Sequence, residues 1–233
     1  MFDLHKSVWP EGVPHHLDLP EQSVAQNLID SCERSPDSVV TNFYGATLTY
    51  QELNDHVEKL AGYLQNNAGV KKGDRVFLYM QNSPQFIIGY YAILRSDAVV
   101  VPVNPMSRRA ELEYLATDTG AKVALAGLEL LAFIQPLVLS GHLDLLIIAA
   151  YADMADPTFD LQLPEALADL TDKNVSGPGI LSWSKAIEAD ERPGPIEAGP
   201  DDLAVIPYSS GTTGQPKGCV HTHRSVMVTL VGG

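Results

Sequence analysis

Short apolar runs alternate with segments of helical length along much of the chain, and this alternation constrains the fold more than any other feature. The strand-like runs are apolar and span residues 75–80, 98–103, 122–126 and 143–149. The segments between them carry helix signals, such as Ser83 before Pro84 at one start and Gly120 at one end. Parallel strands need a long crossover, usually a helix. The pattern therefore predicts an α/β fold whose mostly parallel sheet is flanked by helices.

The same analysis divides the chain into two parts. Residues 1–22 show no hydrophobic period and are predicted to be a surface segment, whereas residues 23–233 form the α/β unit. Further helix starts are predicted at Ser23, at Ser107 and at the capping box of Thr49 and Glu52. Residues 150–200 are rich in proline and glycine, so we expect an irregular excursion with short helices near 164–170 and 182–189. The sheet is predicted to resume at 203–208 and 218–221, before a helix from about residue 223.

A loop rich in hydroxyls and glycines follows the strand-like run 203–208. Residues 208–218 read YSSGTTGQPKG. Glycines allow close backbone approach, successive backbone N–H groups form an anion site, and hydroxyls and a lysine add donors and charge. The loop is therefore predicted to bind the phosphates of a nucleotide. The candidate residues are Ser209, Ser210, Gly211, Thr212, Thr213, Gly214 and Lys217.

Other phosphate-binding motifs do not fit this loop. A Walker A loop needs lysine followed by Ser or Thr, but Lys217 is followed by Gly218. No G-x-G-x-x-G follows an apolar run, which leaves a dinucleotide-binding fold without support. Two structural alternatives stay open: the segment is an ordinary polar turn, or Lys217 stabilises the loop alone. Gly218 is expected to serve the turn rather than the ligand.

Three segments resemble the motifs of adenylate-forming enzymes. The segment 201–226, DDLAVIPYSSGTTGQPKGCVHTHRSV, resembles their AMP-binding signature. Upstream, LTYQEL at 48–53 and LRSDAVVVPVNP at 94–105 are similar to the first and second core motifs. Ser96 and Asp97 depart from the second motif, which usually carries an Ala-Gly-like pair there. The resemblance runs from about Val24 to Gly233 and corresponds to less than half of a family member.

The resemblance implies the N-terminal portion of the large domain of an adenylate-forming enzyme, truncated. Such an enzyme uses ATP with Mg²⁺ to convert a carboxylic acid into acyl-AMP, and then transfers the acyl group to coenzyme A. The family's catalytic lysine, its magnesium-binding glutamate and its lid domain lie outside this chain, so the catalytic residues are unknown here. We therefore expect these 233 residues alone to lack turnover. Apolar surface meant for the missing half would be exposed, so self-association is also expected.

The function keeps several alternatives. The segment 101–122 looks like that of fatty-acyl-CoA synthetases, which favours a medium- or long-chain fatty acid. A ligase for aromatic or amino-acid carboxylates is the alternative within the same class. A free-standing nucleotide- or protein-binding module is the alternative outside it.

The amino-acid composition limits which binding partners and which cellular compartment are expected. The net charge is −14, from 15 basic and 29 acidic residues, which argues against a nucleic-acid partner. Cys32 and Cys219 are far apart in sequence and indicate reduced thiols, as in the cytoplasm. No signal-peptide core is present, and the longest apolar run, 86–94, is too short to span a bilayer. A cytoplasmic location is expected, with peripheral membrane contact left open.

The histidine pairs His15-His16 and His221-x-His223 lack the spacing of a helical metal site, so no metal site is predicted.

Overall fold

A computed structural model describes residues 7–168, 171, 175–209 and 215–232. The helices are α1 Val24–Arg34, α2 Tyr50–Asn66, α3 Pro84–Arg95, α4 Arg109–Thr119, α5 Leu131–Leu139, α6 Glu165–Ala168, α7 Trp183–Glu188 and α8 His223–Gly232. The strands are β1 Val39–Phe43, β2 Ala46–Thr49, β3 Arg75–Tyr79, β4 Val99–Pro102, β5 Val123–Gly127, β6 Leu145–Ala149, β7 Ile180–Ser182, β8 Leu203–Val205, β9 Tyr208–Ser209, β10 Lys217–Gly218 and β11 His221–Thr222. Short 3₁₀ helices span Leu128–Leu130 and Tyr151–Met154.

Seven strands form the central sheet, in the order β11-β8-β4-β3-β5-β6-β7. Only the β11–β8 pair among these is antiparallel, and the other pairs are parallel. Val76 lies opposite Val100 on one side and opposite Val123 on the other, which fixes the register at the centre. The predicted α/β fold with a mostly parallel sheet is therefore confirmed. The division of the chain at residue 23 stays a prediction.

Helices cover both faces of this sheet. Val76 and Leu78 of β3 contact one apolar cluster, which contains buried residues of α1, α2, α3 and α7. Phe77 and Tyr79 of the same strand point into a second cluster, formed with α4 and α5. Successive side chains of a strand point to opposite faces, so a strand buried on both sides is apolar throughout. This explains why polar residues do not alternate with apolar residues along β3.

The helix starts follow the sequence signals at two positions and depart from them at two others. Thr49 and Glu52 form the predicted capping box, and the Ser83 hydroxyl accepts the N–H of Phe86 at 3.1 Å. Ser23 precedes α1, but its hydroxyl makes no capping bond. The prediction at Ser107 is wrong by one residue, because α4 starts after Arg108, whose N–H is accepted by Glu111 at 3.3 Å.

The described parts of residues 150–200 contain more regular structure than predicted. Residues 180–182 form strand β7, which pairs with β6 and adds a seventh strand to the sheet. The two short helices are confirmed as α6 and α7. Residues 189–200, which we call the strap, run across α2 and α3, where Arg95 Nη1 donates to the Gly194 carbonyl at 2.9 Å. Long-range pairing of this kind leaves no local signal in proline- and glycine-rich sequence. The predicted strand 218–221 is instead two strands, β10 and β11.

Candidate functional site

The described ends of the loop predicted to bind phosphate form a pair of antiparallel strands beyond the carboxyl edge of the parallel sheet, and we call this strand pair the hairpin. Strand β8 runs parallel to β4 with Val205 opposite Val100, and the Ile206 N–H donates to the Val100 carbonyl at 2.9 Å. The chain then passes the edge and forms β9, which pairs antiparallel with β10. Ligands of open α/β sheets bind beyond the carboxyl ends of the strands. The hairpin thus lies where this architecture places its binding sites.

Two of the candidate residues lie opposite each other at the base of the hairpin. Ser209 pairs with Lys217, and both side chains are exposed. The Ser209 hydroxyl is 3.5 Å from the Lys217 carbonyl, at the limit of a hydrogen bond. The hairpin therefore brings the first hydroxyl and the lysine of the motif together. The remaining candidates, Ser210, Gly211, Thr212, Thr213 and Gly214, lie outside the described residues, and their roles stay predictions.

Helix α4 holds the hairpin in place. The Tyr114 hydroxyl donates to the Pro216 carbonyl at 2.9 Å, and the Tyr208 hydroxyl donates to the Asp118 carboxylate. Burial and the neighbouring Asp118 raise the pKa of Tyr208, so its phenol keeps the proton it donates. Tyr114 and Asp118 are four residues apart and share one face of α4. One helix face therefore fixes both strands of the hairpin.

Close packing explains Gly218. A Cβ at this position would lie 2.8 Å from Ile206 Cγ2 and 3.2 Å from Tyr208 Cζ, which is too close without a shift of these neighbours. The next residue, Cys219, donates its N–H to the Pro207 carbonyl at 2.8 Å. These contacts agree with the expectation that Gly218 serves the turn.

A small cleft of about 170 Å³ opens between the hairpin and the end of β4. Its lining residues are Pro102, Val103, Asn104, Ser107, Glu111, Leu115, Tyr208, Ser209 and Pro216. Asn104 and Ser107 follow β4, and the Asn104 side-chain oxygen accepts the N–H of Met106 at 2.9 Å. The site predicted from the sequence does not include Asn104, Tyr114 or Asp118. No motif marks Tyr114 and Asp118, because their roles depend on contacts with residues 102 and 90 positions away in the sequence.

The histidine at the start of α8 has a packing role. His223 is buried, and its Nδ1 accepts the N–H of Val24 at 3.0 Å, which joins α8 to α1. Burial lowers the pKa of His223, although Asp202 and Asp97 act in the opposite direction. No group of three metal-ligating side chains occurs within the described part of the chain.

None of the helices in the described ranges is both long and apolar enough to cross a membrane.

Comparison with known proteins gives consistent matches. A long-chain-fatty-acid–CoA ligase of Bacillus subtilis (strain 168) is 33% identical over 225 residues, covering 94% of this chain and 40% of that protein. The ligase of the same name from Escherichia coli O157:H7 is 30% identical over 238 residues, covering 97% and 42% respectively. The crystal structure of a long-chain-fatty-acid–CoA ligase from Archaeoglobus fulgidus superimposes with a TM-score of 0.72 at 23% identity, covering 94% of this chain and 40% of that one. This last likeness concerns the fold.

The chain spans about 40% of the length of the curated relatives it matches. The model of the AMP-binding enzyme family matches residues 28–233, which is nearly all of the α/β unit and includes the hairpin. The chain therefore belongs to the family of AMP-binding enzymes.

Proposed function

We propose that this chain supplies the nucleotide-phosphate loop of an ATP-dependent acid–thiol ligase. In this reaction a carboxylate attacks the α-phosphorus of ATP, acyl-AMP forms, pyrophosphate leaves, and the thiol of coenzyme A then takes the acyl group. The observation that carries the proposal is the hairpin at the carboxyl edge of the sheet, where Ser209 and Lys217 face each other across two paired strands. The sequence between them supplies the glycines and hydroxyls that a polyphosphate needs.

The described residues of the hairpin and of helix α4 have different roles in the proposed reaction. The Ser209 hydroxyl donates to a phosphate oxygen, and Lys217 offsets the negative charge that builds up as pyrophosphate leaves. Tyr114 and Tyr208 position the hairpin through α4, without touching the nucleotide. The local lysine matters because the chain as a whole has a net charge of −14 and repels ATP at longer range.

Magnesium enters this proposal with the nucleotide. Two carboxylates beside the hairpin are already engaged: Asp118 accepts from Tyr208, and Glu111 accepts from the N–H of Arg108. Mg²⁺ commonly binds through substrate phosphates and one or two carboxylates, not through a dedicated protein cage. The described residues therefore fit Mg²⁺ delivered as the ATP complex better than a resident metal ion.

The acyl substrate we propose is a medium- or long-chain fatty acid. Support comes from the relatives at 30–33% identity, both of which are named long-chain-fatty-acid–CoA ligases. The thiol substrate by the same argument is coenzyme A. A cytoplasmic location, with peripheral contact to a membrane, agrees with this substrate. Self-association of the chain also stays a prediction.

The first experiment tests nucleotide binding. At about 4 Å a lysine and a phosphate charge attract by about 1 kcal/mol in water and more at lower dielectric. Because Lys217 is exposed, K217A is expected to weaken Mg·ATP binding about fivefold in low-salt calorimetry, with a smaller effect at high salt. K71A is the matched control, since Lys71 is also an exposed lysine and lies on the loop before β3. Equal affinity of K217A and the unaltered chain would refute the assignment of the hairpin.

The second experiment tests the reaction. The whole ligase, in which this chain is proposed to supply the phosphate loop, is incubated with ATP, Mg²⁺, coenzyme A and decanoate, and release of pyrophosphate is measured with and without the acid. We expect release that depends on decanoate and falls at least tenfold in K217A. Release with benzoate or amino acids alone would refute the fatty-acid substrate, and ATP binding with no acid-dependent release would favour the non-catalytic module.

A further inference from the structure

A second cavity lies on the face of the sheet opposite helix α4. It has a volume of about 370 Å³, within the range of small-molecule sites. Its walls come from α2, α3, α7 and the segment after β6, and the lining residues are His56, Gln85, Ala150, Asp153, Met154, Trp183, Ser184, Ile187 and Glu188. The hairpin contacts α4, which packs on the other face.

Three lining side chains carry buried polar atoms that have no hydrogen-bond partner among the described residues. These atoms are Gln85 Oε1, Trp183 Nε1 and His56 Nδ1. Gln85 is 1% exposed and Trp183 is 5% exposed, so bulk solvent does not reach these two side chains freely. Buried polar groups in folded proteins are nearly always paired, and exceptions call for a reason such as a bound molecule. Their occurrence around one cavity indicates that its occupant supplies the missing partners.

The donor or acceptor role of each atom follows from its chemical group and from its neighbours. Gln85 Nε2 donates to the Ala150 carbonyl at 2.9 Å, so the amide cannot flip and Oε1 remains an acceptor. Trp183 Nε1 can only donate. Burial lowers the pKa of His56, which keeps the ring neutral near pH 7. The cavity therefore offers one fixed acceptor, one fixed donor and an adaptable imidazole.

Charge decides which ligands are disfavoured. Asp153 and Glu188 are exposed carboxylates in the cavity wall, and the described lining residues include no lysine or arginine. An anion bound here would lie near these two carboxylates, whose like charge disfavours it. Fatty-acid carboxylates and nucleotides are therefore poor ligands here. The remaining surface, from Ala150, Met154, Ile187 and the Trp183 ring, is apolar.

We propose that this cavity is a binding site for an uncharged carboxamide with an apolar body. The amide carbonyl accepts from Trp183 Nε1, the amide N–H donates to Gln85 Oε1, and the apolar body packs against Met154 and Ile187. This site is separate from the phosphate loop, so it does not depend on the function proposed above.

Benzamide is the probe, with benzoate as its anionic counterpart of nearly equal size. The chain has two tryptophans, Trp9 and Trp183, and Trp9 is 37% exposed and distant in sequence from the cavity. In a W9F background, Trp183 is the sole tryptophan and reports on the cavity by its fluorescence. We expect saturable binding of benzamide with a Kd of about 1 mM, as for a small fragment, and at least tenfold weaker binding of benzoate.

Two variants locate the binding by calorimetry. W183F removes the donor and keeps an aromatic ring, and is expected to weaken benzamide binding about tenfold, whereas the matched variant W9F leaves it unchanged. I187F fills the cavity from its partly exposed side and is expected to abolish binding. No saturable binding of benzamide would overturn the proposal and leave water as the occupant. Equal binding of benzoate, or full binding by folded I187F, would overturn it as well.

Discussion

The departure of Asp97 from the family motif has a structural reason that can be tested by substitution. Asp97 has a φ of +61°, the left-handed region that favours glycine, and it is only 6% exposed. Its Oδ1 accepts the N–H of Glu197 at 3.0 Å and the N–H of Ala198 at 2.8 Å. The carboxylate thus holds the strap against the turn between α3 and β4. Aspartate is among the residues that tolerate this backbone region, because its side chain is short and polar.

The substitution D97G changes both the backbone preference and the side-chain hydrogen bonds, and comparison with a second left-handed aspartate separates these two effects. Glycine relieves the left-handed conformation by about 1 kcal/mol, but its extra freedom in the unfolded chain costs about 0.5–1 kcal/mol. A hydrogen bond to a charged group contributes about 1.5–3 kcal/mol. Because one oxygen accepts both bonds, we take the low end for each. The net loss is then about 2–3 kcal/mol, which corresponds to a fall in Tm of about 5–10 °C for a chain of this size.

Thermal unfolding followed by circular dichroism measures this change, and Asp190 provides the control. Asp190 also has a left-handed φ, +50°, but its exposed carboxylate only lies 3.4 Å from Lys59 Nζ and from Arg192 Nη2. Exposed ion pairs contribute little, so D190G is expected to change stability by less than about 1 kcal/mol. D97N, which keeps an oxygen acceptor, should fall between the two. If D97G unfolds at the same temperature as D190G, the two hydrogen bonds do not hold the strap and the reasoning is wrong.

Three further substitutions test other contacts. Y114F removes the donor to the Pro216 carbonyl, so we expect faster amide hydrogen exchange in β10 and a stability loss of about 1 kcal/mol; unchanged exchange would contradict the role of α4. Burial lowers the pKa of His223, so the folded protein loses stability as the pH falls from 6.5 towards that lowered pKa. The side chain of H223N does not titrate. In urea titrations, the unfolding free energy of H223N should therefore fall less than that of the unaltered chain between about pH 7.5 and 5.5. G62A places a Cβ 2.4 Å from the backbone nitrogen of residue 192, and a lower Tm is expected despite the better helix propensity of alanine. A higher Tm would show that the strap moves aside at no cost.

Much of the fold is readable in the sequence because its signals are local. Capping at Thr49 and Ser83, the left-handed Gly120 and the apolar runs of β3 to β6 each depend on neighbours within a few residues. The signal for the proposed phosphate loop is equally local, since its hydroxyls, glycines and lysine lie within nine residues, 209–217. Its detailed geometry is not, and residues 210–214 stay at the level of the sequence prediction.

The missed features depend on contacts between distant segments. Strand β7 joins the sheet only because β6 presents a free edge, and the strap is ordered by side chains on α2 and α3 that lie about 100 residues or more earlier. Tyr114 and Asp118 gain their role when α4 comes beside the hairpin. Gln85 Oε1 and Trp183 Nε1 have no hydrogen-bond partner among the described residues, and this is informative only because folding buries them around one cavity.

The sequence by itself determined the α/β alternation and the glycine- and hydroxyl-rich motif proposed to bind phosphate, because hydrophobic period, capping and turn chemistry act over a few residues. Only the tertiary structure decided which helix holds the hairpin, why aspartate occupies position 97, and where polar atoms are buried without a partner among the described residues. Those properties belong to pairs of surfaces that meet through long-range packing, and no stretch of sequence contains both members of the pair.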